Sequence, residues 1–160
     1  MLRHLDLFSG IGGFSLAAKR ASSMLPERSS GRAPARGGIQ TTQFVEIDTD
    51  AQTVLRSHFP GVPIHSDIRD YHPEPRKFDI ILCGFPCTGT SNAGTRTGLK
   101  HPASALWREG IRCFIEAQPR FCIIEQRTDV RSTAYAVGAS KMLEGVIKRG
   151  LRAIVFVRVP

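Results

Sequence analysis

Short apolar runs alternate along the chain with stretches of helical periodicity, and that alternation leaves few folds open besides a parallel sheet wrapped by helices. The runs cover residues 5–8, 42–47, 62–65, 78–83, 120–125 and 153–159. Helices are predicted over residues 14–24, over a stretch carrying Ala51, Val54 and Leu55, over 105–117, and over 140–149, where Gly150 stops the last. Asp48 or Thr49 is placed to cap the second of these. Phe78-Asp79-Ile80-Ile81-Leu82-Cys83 is almost continuously apolar, as suits a strand buried on both faces. Pro63 assigns the run at 62–65 to a sheet edge. The fold class expected is α/β: a mostly parallel sheet with helices on both faces, in one domain of 160 residues. Residues 26–40, rich in Pro, Gly, Ser and Arg, read as a flexible basic insertion, and a glycine- and threonine-rich loop is predicted from 84 to about 102.

The net charge of +8 points to a polyanionic partner, although a basic surface that serves only solubility gives the same value. No apolar run approaches the roughly 20 residues that span a bilayer. Met1-Leu2-Arg3-His4-Leu5-Asp6 lacks the apolar stretch and cleavage site of a signal peptide. A cytoplasmic or nucleoid setting is expected, in which Cys83, Cys87, Cys113 and Cys122 stay free thiols.

Asp6-Leu7-Phe8-Ser9-Gly10-Ile11-Gly12-Gly13 reads as strand, glycine turn and helix start. Glycines there admit a ligand close to the backbone at a helix N-terminus. The spacing is G-x-G-G, with Ser15 where the last glycine of a dinucleotide fingerprint would fall, which argues against a nicotinamide oxidoreductase. Glu46, in Glu46-Ile47-Asp48, closes the second strand, where a carboxylate accepts from ribose hydroxyls. Asp67-Ile68 follows the third, where a carboxylate accepts from an adenine amino group. Either acid, standing alone, reads better as a helix cap or a surface residue. The more specific signal is Gly84-Phe85-Pro86-Cys87 followed by Thr88-Gly89-Thr90. A cysteine at a strand end in a glycine-rich loop is placed as a nucleophile. Cys83, Cys113 and Cys122 read as packing. No metal site is expected: Cys83, Cys87 and His101 lack zinc-knuckle spacing, and Thr90 with His65-Ser66-Asp67 excludes the zinc deaminase pattern.

Taken together, residues 6–13, Glu46, Asp67-Ile68, Pro86-Cys87 and Glu125 resemble the DNA (cytosine-5)-methyltransferase family, in order and context, over nearly the whole chain. The resemblance implies a Rossmann-like methyltransferase fold. It also implies methyl transfer from S-adenosyl-L-methionine to carbon 5 of cytosine in double-stranded DNA, with the base flipped out of the helix. It makes Cys87 the thiolate that adds to carbon 6 and Glu125 the group that acts on nitrogen 3. Phe8, Ser9, Gly10, Gly12, Gly13, Glu46, Ile47, Asp67, Ile68 and Pro86 become cofactor-binding residues. The implied setting is a bacterial, archaeal or phage restriction-modification system. Thr88 and Thr90 replace the family's usual glutamine and aromatic residue, and Glu125-Gln126-Arg127 replaces its Glu-Asn-Val. The expected domain is a catalytic one over 1–160, partial at its C-terminal side and without a target-recognition region, which a second polypeptide would then supply. A remnant or partner subunit that binds S-adenosylmethionine or DNA without turnover is the competing expectation.

Overall fold

Strand β1 (Leu2–Leu7) is buried along its last four residues, and its side chains divide by parity. Leu5 and Leu7 face one helical layer, while His4 and Asp6 face the other. This strand belongs to a computed structural model that describes residues 1–23, 38–84, 106–127, 144, 148 and 152–158, with backbone alone for 126–127 and 152–158. Around β1 stand β2 (Ile39–Val45), β3 (Ile64–His65), β4 (Ile80–Cys83), β5 (Phe121–Arg127) and β6 (Arg152–Arg158). The sheet order is β3-β2-β1-β4-β5-β6, and every pairing is parallel. The chain builds outward from β1 to β3, then re-enters beside β1 and builds the other way. Right-handed crossovers therefore put α1 (Gly13–Ser23) and α2 (Thr49–His58) on one face and α3 (Trp107–Ala117) on the opposite one.

The core follows this layering. Leu5, Leu7, Val45, Ile81, Cys83, Cys122 and Ile124 pack with Cys113, Phe114 and Ala117 of α3. A Cβ at Gly110 would stand 2.7 Å from the Cys83 sulfur, so a bare glycine lets α3 lie against β4. On the far face Phe44 meets Phe59 edge-on, with ring centroids 5.2 Å apart. Helix α2 starts where Asp48 accepts from Asp50 N at 2.8 Å and Ala51 N at 2.9 Å, the cap foreseen at that position. Cys83, Cys113 and Cys122 are all fully buried, as their apolar contexts imply.

Where boundaries differ from expectation, pairing explains it. β1 begins at Leu2 because Leu2 and Arg3 pair with Ile39 and Gln40, and those two residues belong to β2 rather than to an insertion. β2 stops at Val45, one residue before Glu46 turns its carboxylate back toward the chain. β3 shrinks to two residues, Ile64 and His65, paired with Phe44 and Val45, with the Pro63 carbonyl accepting from Phe44 N at 3.0 Å as the first rung. β5 runs two residues beyond Glu125 because β6 pairs with Gln126 and Arg127. The rest of the basic stretch, most of the loop predicted from 84 to about 102 and most of the helix predicted at 140–149 lie outside the described residues; Glu144 and Lys148, which are described, form an ion pair. No helix among the described residues is long and apolar enough to cross a membrane.

Candidate functional site

The point where strand order reverses, between β1 and β4, is where open α/β sheets leave a crevice beyond their carboxyl ends. Here the crevice is a cavity of about 470 Å³, within the size range of cofactor pockets. Its apolar walls come from Phe8, Ile47, Ile68 and Leu106, and Glu46 and Asp67 supply its acids. Gly10 and Gly84 also line it, so the ends of β1, β2, β3 and β4 all contribute.

The glycine turn is built by backbone geometry. Phe8 at φ 57°, Gly10 at φ 52° and Gly12 at φ 86° take the chain sharply off β1 before α1 begins. Phe8 pays a strain that glycine would not, and its side chain is thereby aimed at the cavity. Ser9 is buried and anchors the turn: its N–H donates to the Val45 carbonyl at 3.2 Å and its hydroxyl to the Asp6 carbonyl at 2.7 Å. A Cβ at Gly12 would fall 2.8 Å from the Phe59 ring and 2.9 Å from Leu55, so this glycine serves the approach of the turn to α2. Ser9, Gly12 and Gly13 support the turn without lining the cavity.

Glu46 is held before any ligand arrives. One oxygen accepts from Gly10 N at 2.7 Å and the other from Asp48 N at 2.8 Å. Each oxygen keeps accepting capacity, and the carboxylate is fixed at the mouth of β2. Asp67 is engaged differently, by Arg69, which holds its carboxyl down to about 2. Glu125 stands at the other side of the site. β5 sets Ile124 beside Cys83, and a Cβ at Gly84 would be 3.6 Å from Glu125 Oε2. Gly84 N in turn donates to the Leu7 carbonyl at 3.3 Å. The structure thus gathers Phe8, Gly10, Glu46, Ile47, Asp67, Ile68 and Glu125 around the carboxyl ends of the strands. Pro86 and Cys87 lie outside the described residues; in sequence they follow Gly84 by two and three positions.

Besides Val45 at the end of β2, which also lines the cavity, sequence reasoning missed four contributors. Leu106 and Ser66 line the cavity, and neither sits in a motif. Arg69 lines it too, and its position two residues after Asp67 was the available signal. The fourth is Asp6, which is fully buried beneath the turn. One of its oxygens accepts from the Ser15 hydroxyl at 2.6 Å, while the other has no partner among the described residues. Desolvation pushes its pKa up to about 7, opposed by the bond from Ser15 and assisted by the Glu46 charge. On the same face His4 is buried, bonded through Nδ1 to Thr41 at 2.9 Å, and desolvation lowers its pKa to about 4.

These two shifts tilt stability in opposite senses. From pH 4 to 7 the folded chain keeps a proton on Asp6 that the unfolded chain has released, so stability falls with rising pH. From pH 6.5 down to 4 the unfolded chain protonates His4 while the folded chain does not, so stability falls with falling pH. Each slope is at most about 1.4 kcal/mol per pH unit. Relative to the native chain, Asp6→Asn should therefore gain stability steadily from pH 4 to 7 and level off above. His4→Gln should gain it from pH 6.5 down to 4. Urea unfolding across that range measures both, and differences that do not change with pH would contradict the assignment.

Comparison with known proteins places this geometry in context. A family model described as C-5 cytosine-specific DNA methylase matches residues 2–136. The chain is 34% identical over 126 residues to the type II methyltransferase M.CviJI of Paramecium bursaria Chlorella virus IL3A, covering 77% of this chain and 29% of that protein. It is 33% identical over 105 residues to the type II methyltransferase M2.BsuMI of Bacillus subtilis (strain 168), covering 66% and 23%. To the type II methyltransferase M1.HphI of Haemophilus parahaemolyticus it is 31% identical over 134 residues, covering 78% and 32%. The matched region thus spans about a quarter to a third of the length of these relatives.

Proposed function

The chain belongs to the C-5 cytosine-specific DNA methylase family, and from that premise we propose that it carries the cofactor-binding and nucleophile-bearing part of a DNA (cytosine-5)-methyltransferase using S-adenosyl-L-methionine. The observation that supports this reading is the cavity at the switch point, with Glu46 and Asp67 on its wall and Glu125 beside Gly84. Its donor set fits an adenosine-bearing ligand. Phe8, Ile47 and Ile68 offer apolar surface to a purine, Glu46 accepts from ribose hydroxyls, and Asp67 accepts from the exocyclic amine. Gly10 leaves room for the methionine portion. When bound, the cofactor supplies an electrophilic sulfonium methyl, a chemistry no side chain has.

The chain's own residues prepare the base. Carbon 5 of cytosine is a poor nucleophile. The Cys87 thiolate adds to carbon 6, forming a sulfur–carbon bond and shifting the ring electrons toward carbon 5. Glu125 holds a proton at nitrogen 3, which takes up the charge that addition places on the ring. Once carbon 5 is methylated, a base removes its proton and the sulfur–carbon bond breaks. The thiolate is thereby regenerated and the ring regains aromaticity. Cys87 reaches carbon 6 only of a base turned out of the duplex.

A second reading, binding of cofactor or DNA without turnover, is favoured by one observation. β5 continues through Gln126 and Arg127, so the two positions that depart from the family's usual Asn-Val are set in strand beside the catalytic carboxylate. Calorimetric titration with S-adenosylhomocysteine, paired with transfer of labelled methyl groups to duplex DNA, separates the readings. Binding with transfer supports the first, binding alone selects the second, and neither rejects the first together with cofactor binding. In the titration Glu46→Ala should weaken S-adenosylhomocysteine by about ten- to a hundredfold, as loss of charge-assisted hydrogen bonds does. Unchanged affinity would remove Glu46 from the site.

A further inference from the structure

Asp67 reaches the cavity with its carboxylate already occupied. Oδ1 accepts from the Arg69 backbone N–H at 2.9 Å and from Arg69 Nε at 3.0 Å, while Oδ2 accepts from Nε at 3.0 Å and from Nη2. A carboxylate has about four lone-pair sites, and these contacts leave little capacity for an incoming amine. The guanidinium belongs to a residue that lines the same cavity. We propose that Arg69 competes with bound adenine for the Asp67 carboxylate, so that this arginine sets how tightly the site takes adenosine-bearing ligands. The inference rests on the reading of Asp67 as the acceptor for the adenine amine.

Two features make the competition a matter of one side chain. The backbone beside Asp67 is pinned by Arg112, whose Nη2 donates to the Ile68 carbonyl at 2.6 Å and Nη1 to the Tyr71 carbonyl at 3.0 Å. Arg112 is itself tied to Glu109 and Glu116 of its own helix, so the wall of the cavity does not retreat to free the carboxylate. Arg69, by contrast, is 66% exposed, and Asp70 and Glu109 both attract its charge. Rotation toward either acid releases Asp67 without moving the loop.

Arg69 therefore acts differently on two ligands. An adenine amine needs the carboxylate that Arg69 covers. A 6-oxo group in the same place accepts hydrogen bonds and gains nothing from the removal of a donor. The test is calorimetry on the 160-residue chain with S-adenosylhomocysteine and S-inosylhomocysteine, at low and high salt, for the native chain, Arg69→Ala, Asp67→Ala and the double variant. Arg69→Ala should bind S-adenosylhomocysteine about two- to fivefold more tightly at low salt, the range of an exposed ion pair. The gain should shrink at high salt, where screening already loosens the pair. It should be absent for S-inosylhomocysteine and absent in the Asp67→Ala background. If Asp67→Ala weakens S-adenosylhomocysteine but Arg69→Ala weakens it as well or leaves it unchanged, Arg69 is no competitor and the proposal falls alone. If Asp67→Ala leaves the affinity unchanged, the reading of Asp67 fails and takes the proposal with it.

Discussion

Cys87→Ser should abolish methyl transfer while S-adenosylhomocysteine binds as before. Loss on the order of a thousandfold or more is the scale on which an enzyme loses its nucleophile. A serine hydroxyl has neither the acidity nor the nucleophilicity of a thiol. Cofactor affinity should stay because the residues assigned to the purine and ribose come from β1, β2 and β3, on the other side of the crevice from Gly84. This split between chemistry and binding is the signature to measure. A variant that loses both has lost its fold, and one that keeps transfer has a different nucleophile.

Glu125→Gln should lower turnover by about a hundred- to ten-thousandfold, the range for removing a positioned acid or base, with little change in cofactor affinity. Glutamine is nearly isosteric, so the position beside Gly84 is preserved. What it cannot do is give a proton to nitrogen 3 or take one back. The expected result is a kcat effect with the KM for the cofactor held, read from methyl incorporation at saturating DNA. An equal loss in Glu125→Gln and in cofactor binding would move Glu125 from the chemistry to the architecture.

The sheet was legible because its central strands carry their burial in their residues. Ile80-Ile81-Leu82-Cys83 is buried throughout, and no other state of the chain covers such a run. The edge was legible from Pro63 for a similar reason, that a missing N–H cannot join a ladder. Strand ends were less so. Leu2, Arg3, Gln126 and Arg127 join the sheet because a neighbour offers a ladder, which no local pattern announces. The site divides the same way. Glu46 and Asp67 are found by their place after strands, and the glycine turn by its spacing. Leu106 reaches the cavity only through tertiary packing, whereas Ser66 stands beside Asp67 in sequence. Asp6 shows a different limit: it was read as one letter of a motif, whereas its buried, half-satisfied carboxylate is a property of the layer that α1 lays over it.

Duplex DNA carrying 5-fluorocytosine at its methylatable cytosines tests the central claim most directly. Fluorine in place of the carbon 5 hydrogen prevents the final proton loss, so the sulfur–carbon bond to the base cannot be released. Incubated with S-adenosylmethionine, the native chain should give a protein–DNA adduct that survives denaturing electrophoresis, and Cys87→Ser should give none. A chain that methylates ordinary DNA yet forms no such adduct, or a Cys87→Ser variant that still forms it, would contradict attack on cytosine by this thiolate.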